Sequence, residues 1–272
     1  MTEAERRTSV IGELGLVLEA DADADGDGDG DGDGLHGTVP VVPAMFVPGT
    51  SSLRASVVVA WADTLLGLLA VRLLAPRVPV TLELDVHLID DLRGADELTL
   101  TGRVLKAGKS VLVSRLDLAA ADGRRVGLGH ALFMANPDPR VTMRTGNWAL
   151  NRFRTRGAAL DEPFADRLGC FRTGRGEAVL PCSPDVLNQS KSLNGGLLGV
   201  VVEEAALSAD PAERPLSSMH LRYLRGVRQG PAEARAEVRG DLGEVEVRDA
   251  ATGALAVVAT TRAAAHPSVS RA

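Results

Sequence analysis

The stretch ASVVVAWADTLLGLLAVRLLA, residues 55–75, is apolar on every side of a helix. It is long enough to span a bilayer. However, it carries Asp63 and Arg72, and a helix enclosed by a soluble protein has the same all-round apolar pattern. The sequence therefore predicts a fully buried helix at the centre of a soluble domain, without a membrane partner.

Strand-like runs lie on both sides of this helix. Two of them precede it, at residues 14–20 and 35–42. Three follow it, at residues 78–89, 98–121 (long enough for two strands) and 124–135. The pair Asp122-Gly123 before the last run is a hairpin signal. The first half is thus predicted to contain two strands, the buried helix and an antiparallel meander.

The second half repeats this order. Residues 167–184 predict a hairpin, residues 193–209 predict a second apolar helix, and four strand-like runs follow. Two such halves can pair, because either sheet alone would leave an edge strand open. We therefore predict an α+β fold of two tandem domains, each an antiparallel sheet wrapped around a long helix. The domains are predicted at residues 9–138 and 161–266, with a linker at 139–160.

An acidic repeat, DADADGDGDGDGDG, occupies residues 21–34 between the first two strand-like runs. Alternating Asp and Gly is also found in calcium-binding loops. The closing Glu of an EF-hand and the nine-residue period of a calcium β-helix are both missing. The repeat is therefore interpreted as a disordered insert in a hairpin turn.

Composition excludes several classes of protein. The net charge is −6 and only 3% of residues are aromatic, so neither a basic footprint nor a base-stacking surface for nucleic acid is expected. Cys170 and Cys182 form no CxxC motif, and no metal or other cofactor is predicted. The N-terminus lacks a signal-peptide pattern, which predicts a cytoplasmic location.

The start of the second apolar helix carries a spaced pattern of polar residues and glycines. Asn188 is followed six residues later by Asn194, then by Gly195-Gly196 and Glu203. This pattern resembles the hotdog thioesterases of the phenylacetate-pathway and 4-hydroxybenzoyl-CoA type. Their motif is Asn, six residues on His-Gly-Gly, and an acid nine positions after the His. Here Asn194 stands where the His is usual.

The first half shows the same spacing in a more divergent form. Arg54-Ala55-Ser56 takes the place of the Asn194 motif, and Asp63 stands nine residues after Arg54. The AWADTLLG segment around Asp63 resembles the Ala-Asp-Thr stretch of the family. This resemblance implies a double hotdog fold over nearly the whole chain.

In the resembling family, one hotdog supplies the helix start of each site and its partner supplies the acid. The resemblance therefore implies two unequal sites. The first combines catalytic Asp63, Gly196 and Asn188 with substrate-binding Asn194, Gly195, Thr64 and Thr81. The second combines Arg54, Ala55 and Ser56 with Glu203, and it lacks the paired glycines. The first is expected to be the working site.

Both Asp63 and the paired glycines can be interpreted as functional or as structural residues. A carboxylate on an apolar helix, as at Asp63, is costly unless compensated, and it is either a functional group or a hydrogen-bonded structural one. Paired glycines at a helix start expose backbone N–H groups that can stabilise an oxyanion, but they also suit a tight turn.

We therefore expect an acyl-CoA thioesterase or an enzyme acting on a related acyl thioester. The alternative is a non-catalytic acyl-CoA-binding or regulatory hotdog protein, because Asn194 and Arg54 depart from the family motif. A hotdog hydratase ranks last, since neither Asp63 nor Glu203 is followed by the His which that subgroup uses. Pairing of two chains into a homodimer is left open.

Overall fold

The computed structural model describes residues 10–19, 34–89, 92, 95–143, 150–188 and 190–265. The first half contains α1 (Val10–Glu13), β1 (Val17–Leu18), β2 (Gly34–Pro40), α2 (Ala55–Leu74), β3 (Pro79–Leu88), β4 (Glu97–Ala107), β5 (Val111–Ala120) and β6 (Arg125–Ala135). The second half contains α3 (Phe164–Arg167), β7 (Phe171–Gly174), β8 (Glu177–Leu180), α4 (Leu198–Ala209), β9 (Leu216–Tyr223), β10 (Ala232–Arg239), β11 (Leu242–Asp249) and β12 (Ala254–Ala263).

All twelve of these strands join one antiparallel sheet in the order β1-β2-β4-β5-β6-β3-β9-β12-β11-β10-β8-β7. β3 and β9 pair at its middle, with Leu84 opposite Leu221. Outward from β3 the order is β6, β5, β4, β2, β1, and outward from β9 it is β12, β11, β10, β8, β7, so each strand of one half has a counterpart in the other. Leu84 and Met219 hold equivalent places relative to the β5–β6 and β11–β12 hairpins, so the two halves are related by an approximate twofold axis at the Asp85–His220 pair.

Each half of the sheet wraps around its own helix. α2 packs against β3, β4 and β6, and α4 packs against β8 and β10. A Cβ at Gly102 of β4 would lie 2.5 Å from the Leu65 side chain, so glycine allows this close approach between sheet and helix. The predicted α+β fold of two hotdog domains is confirmed.

α2 is long and apolar enough to cross a membrane by length and composition. In the fold, 67% of its apolar window is buried, and its central residues Trp61, Leu65 and Leu69 are enclosed by the sheet. Its all-round apolar pattern is therefore that of a helix enclosed in the core of the fold.

The structure corrects two predicted elements. The second long helix begins at Leu198 rather than at residue 193. The Leu193 N–H donates to Val227 O and the Asn194 N–H donates to Val186 O, both at 2.8 Å, so neither joins a helix. The first predicted strand shrinks to Val17–Leu18, because α1 and a turn at Gly15 (φ +72°) use the residues before it.

The predicted domain boundaries enclose the observed strands. β1–β6 lie within residues 9–138, and β7–β12 lie within 161–266. The Asp/Gly repeat lies outside the described residues apart from Gly34, which begins β2. The boundaries themselves stay a prediction.

Candidate active site

The turn before α4 lies directly against the middle of α2. A Cβ at Gly196 would lie 2.9 Å from the Asp63 Cβ and 3.1 Å from the Ala60 Cα. A Cβ at Gly199, one turn further on, would lie 3.0 Å from the Val59 side chain. The absence of side chains at the two glycines thus lets the backbone of the second half touch the first helix.

Asp63 is hydrogen-bonded from both halves of the protein. The Gly196 N–H donates to Asp63 Oδ2 at 2.9 Å, and Thr81 Oγ1 of β3 donates to Oδ1 at 3.2 Å. Burial raises the pKa of the Asp63 carboxyl above its usual value, and the bonds from Gly196 and Thr81 offset only part of this rise. A carboxylate with a raised pKa in this position can accept a proton from a bound water.

Asn194 caps the turn that leads into α4. Its Oδ1 accepts hydrogen bonds from the Gly196 N–H at 2.9 Å and the Leu197 N–H at 3.3 Å, as the side chain of an N-cap residue does. Within the described part of the chain, its Nδ2 amide and the Gly195 N–H donate to no acceptor. Two open donors therefore lie beside the Asp63–Gly196 contact.

Two residues predicted for this site form their hydrogen bonds elsewhere. Asn188 Oδ1 accepts from the N–H groups of Ser190 and Ser192 and from Ser192 Oγ, at 2.9, 3.2 and 3.1 Å. Thr64 Oγ1 donates to Ala60 O of its own helix at 2.7 Å. Asn188 thus stabilises its own loop. Neither the Asn188 amide nor the Thr64 hydroxyl forms a hydrogen bond with Asp63.

Tyr223, at the end of β9, is a site residue that the sequence reasoning missed. Its hydroxyl donates to Gly195 O at 2.9 Å. Burial and the nearby charge of Asp63 raise the pKa of Tyr223 well above its usual value, so the phenol stays protonated. Tyr223 is the only tyrosine of the chain, and that rarity was the one signal available in the sequence.

The second predicted group of residues also comes together. Glu203 of α4 accepts hydrogen bonds from the Ala55 N–H at 2.8 Å, from Ser56 Oγ at 2.5 Å and from Arg54 Nη1 at 3.1 Å. Arg54 also forms an ion pair with Glu204 at 2.7 Å. Burial raises the pKa of Glu203, against the opposing effect of the Arg54 charge.

The side chains of this second group are packed together and leave almost no exposed surface. Arg54 is 1% exposed, and Ser56 and Glu203 are fully buried. A cavity of about 320 Å³ lies near it, between Leu53 and Leu88 of the first half and Leu216 of the second, but its lining includes neither Arg54 nor Glu203. The geometry here is that of a buried ion-pair network.

No three His, Cys, Asp or Glu side chains among the described residues are placed to hold a metal ion. Cys170 and Cys182 are both free thiols. Burial raises the pKa of Cys170 to about 12, so this thiol stays protonated at neutral pH.

The chain is similar to known thioesterases in part of its sequence and in its fold. Residues 55–126, from the start of α2 into β6, match the family model of the Thioesterase superfamily. No curated protein sequence matches the chain. Among solved structures, the 12:0-ACP thioesterase from Umbellularia californica is similar, with a TM-score of 0.62, 15% identity, and coverage of 85% of this chain and 97% of that one. An acyl-ACP thioesterase from Bacteroides thetaiotaomicron gives a TM-score of 0.57 and 14% identity, with the same coverage.

At such identities the solved structures establish the fold alone. The protein is a double hotdog, and its first long helix with the strands that follow it carries the sequence pattern of the Thioesterase superfamily. The resemblance to hotdog thioesterases is thereby confirmed. Together, the family match and the fold support a thioester hydrolase.

Proposed function

We propose that this protein hydrolyses acyl-CoA thioesters at one site, formed where the two hotdog halves meet. The observation that carries the proposal is the contact of Asp63 from α2 with the Gly196 N–H before α4. It places a carboxylate with a raised pKa beside the two open donors of Asn194 and Gly195.

In the proposed reaction, Asp63 acts as a general base. Its carboxylate takes a proton from a water molecule while the water oxygen attacks the thioester carbonyl carbon. The resulting tetrahedral intermediate collapses as the C–S bond breaks, and the sulfur leaves with the bonding electron pair. The thiolate then takes up the proton, which yields the free acid and the thiol.

The carbonyl oxygen needs donors that strengthen as its negative charge develops. The Gly195 N–H and Asn194 Nδ2 are free to serve, and we assign them this role. The Gly196 N–H, which the resemblance placed among the catalytic groups, donates to Asp63 in the resting arrangement. Thr81 donates to the other carboxylate oxygen and holds its orientation.

One working site is expected per chain. At the quasi-equivalent position the Arg54 guanidinium bridges Glu203 and Glu204, and Arg54 and Glu203 are almost completely buried. A carboxylate that is already paired with a buried guanidinium has no access to water or substrate. Arg54, Ser56 and Glu203 are therefore proposed to join the two halves, not to catalyse.

The alternative function is binding of acyl-CoA without hydrolysis. It is favoured by Asn194, which takes the place of the family's His and has its side-chain oxygen engaged as a helix cap. The two functions differ in turnover but not in binding. The cytoplasmic location and the pairing of chains into a homodimer also stay predictions.

The deciding experiment incubates the protein with short, medium, long and aromatic acyl-CoAs and follows release of free thiol. The same panel is run with Asp63→Asn. Turnover that disappears in the variant supports the proposal. Binding of acyl-CoA without turnover on any chain supports the alternative, and equal turnover in both proteins contradicts the role of Asp63.

A further inference from the structure

One peptide group, between Gly195 and Gly196, is held at both of its ends. Its oxygen accepts a hydrogen bond from the Tyr223 hydroxyl at 2.9 Å. Its N–H donates to Asp63 Oδ2 at 2.9 Å. We propose that Tyr223 is a positioning residue that orients this peptide, so that the Gly196 N–H points at Asp63. The expected effect of Tyr223 on hydrolysis rests on the proposed function, whereas its effect on the orientation of the peptide does not.

The geometry of the peptide bond gives the reason. A trans peptide is planar, so fixing the direction of the Gly195 carbonyl also fixes the direction of the Gly196 N–H. A glycine lies on each side of this bond, and glycine backbones rotate more freely than any other. The Leu198 N–H also donates to the Gly195 carbonyl, at 3.2 Å, but it is shared with the Asn194 carbonyl at the same distance. The shorter bond from the Tyr223 hydroxyl therefore limits how far the peptide can turn and withdraw its N–H from Asp63.

Tyr223 is suited to donate and not to accept. Its phenol stays protonated, because burial and the Asp63 charge both raise its pKa. Its ring also lies against Gly195, where an added Cβ would be 3.6 Å from Tyr223 Cε1. Hydrogen bonds linked through one peptide polarise each other, so the phenol strengthens the N–H that binds Asp63.

The other half of the protein lacks this arrangement. Leu84 pairs with Leu221 and Val86 with Met219, so a twofold axis at the Asp85–His220 pair exchanges these two pairs and matches Tyr223 to Leu88. Leu88 carries no side-chain donor and is partly buried. In that half the glycines are also replaced by Ala55 and Ser56. Among the described residues, the Tyr223 hydrogen bond to the Gly195–Gly196 peptide therefore has no counterpart at Ala55 and Ser56, and it lies at the site where we place catalysis.

The test compares Tyr223→Phe with Ser217→Ala. Ser217 lies on the same strand, and its hydroxyl also bonds to backbone carbonyls, those of Arg262 and Ala263. Two readouts are taken from each variant: amide hydrogen exchange of Gly196 in glycine-labelled protein, and kcat and KM for an acyl-CoA substrate. For Tyr223→Phe we expect faster exchange at Gly196 and a kcat lower by about two- to tenfold, the worth of one hydrogen bond, with KM unchanged. Ser217→Ala should change neither.

A third readout uses the fact that Tyr223 is the only tyrosine. The ultraviolet absorption of its phenolate can be titrated with alkali in the whole protein. In Asp63→Asn the titration should move to lower pH, because a nearby negative charge is gone. An unmoved titration would contradict the contact between the phenol and the site.

The outcomes separate this inference from the proposed function. Unchanged exchange at Gly196 in Tyr223→Phe overturns the positioning role, as does equal acceleration of all glycine amides, which indicates general loosening. If the wild-type protein hydrolyses no thioester, the proposed function fails, while the exchange and titration results still decide whether Tyr223 positions the peptide.

Discussion

The Asp63 carboxylate and the Gly196 backbone N–H lie 2.9 Å apart (Oδ2 to N), although they are 133 positions apart in the chain. The contact joins the first hotdog helix to the turn before the second. It exists because a glycine at position 196 leaves no side chain between the two elements: a Cβ there would lie 2.9 Å from the Asp63 Cβ. We call this contact the junction; its counterpart at the equivalent position is the contact of Glu203 with Arg54.

Replacing Asp63 by Asn should remove hydrolysis while keeping the fold. Loss of a positioned general base lowers kcat by about 10²- to 10⁴-fold, and thiol release from acyl-CoA measures it. Asp117→Asn is the matched control. Asp117 is an aspartate whose pKa is lowered, against the effect of burial, by Arg115 and its neighbours, and it lies far from the junction on β5. Full activity in Asp63→Asn would refute the mechanism.

The pH dependence of kcat/KM should reflect the raised pKa of Asp63. Only the ionised carboxylate accepts a proton, so activity falls as pH decreases through that pKa. Because burial raises it, the fall should be centred above about pH 3.9, the ordinary value for Asp. An acidic limb at the ordinary value would show that Asp63 is not the group that titrates.

Stability should respond to pH in the opposite sense. A folded-state pKa above the unfolded one means that the native state binds the proton more tightly, so the contribution of Asp63 to stability falls as pH rises through the folded pKa. Asp63→Asn removes this term. The variant should therefore gain stability relative to wild type as pH increases over that range, measured by urea unfolding at several pH values. A constant difference would contradict the assignment.

Gly196→Ala should damage both stability and activity. The added methyl would lie 2.9 Å from the Asp63 Cβ and 3.1 Å from the Ala60 Cα, and forcing an extra carbon into a packed contact costs about 1–3 kcal/mol. Gly67→Ala provides the control on α2, because a Cβ there meets nothing within 4 Å. It should be neutral or stabilising by up to about 1 kcal/mol. Equal unfolding free energies for both variants would show that the junction is not closely packed.

Arg54→Met should destabilise the protein but spare catalysis. It leaves the buried Glu203 carboxylate without its guanidinium, which costs about 3–5 kcal/mol when one partner of a buried pair is removed. Arg103→Met is the control, since its pair with Asp117 is exposed and worth about 0–1 kcal/mol. Chemical unfolding measures the difference. Loss of kcat in still-folded Arg54→Met would mean that the second group takes part in catalysis.

Some features of this protein were decided by the sequence itself. The all-round apolar run of α2 predicted its burial, and alternating runs predicted the strands that wrap it, because burial imposes a period on each element locally. The Asp/Gly/Asn motif also predicted which residues would gather near Asp63. Asn194, Gly195, Gly196 and Thr81 lie there, and Arg54, Ser56 and Glu203 meet as a second group.

Other features were decided only by the tertiary structure. Asn188 forms hydrogen bonds within its own loop, and Thr64 forms one within its own helix. The Tyr223 hydroxyl donates to the Gly195 carbonyl, and the Arg54 guanidinium pairs with Glu203 in the second group. None of these follows from spacing, because each depends on which atoms of distant elements are brought within hydrogen-bond range. That distance is set by the β3–β9 pairing and by the closeness of α2 to the Gly196 turn, and a one-residue shift in either would change every partner.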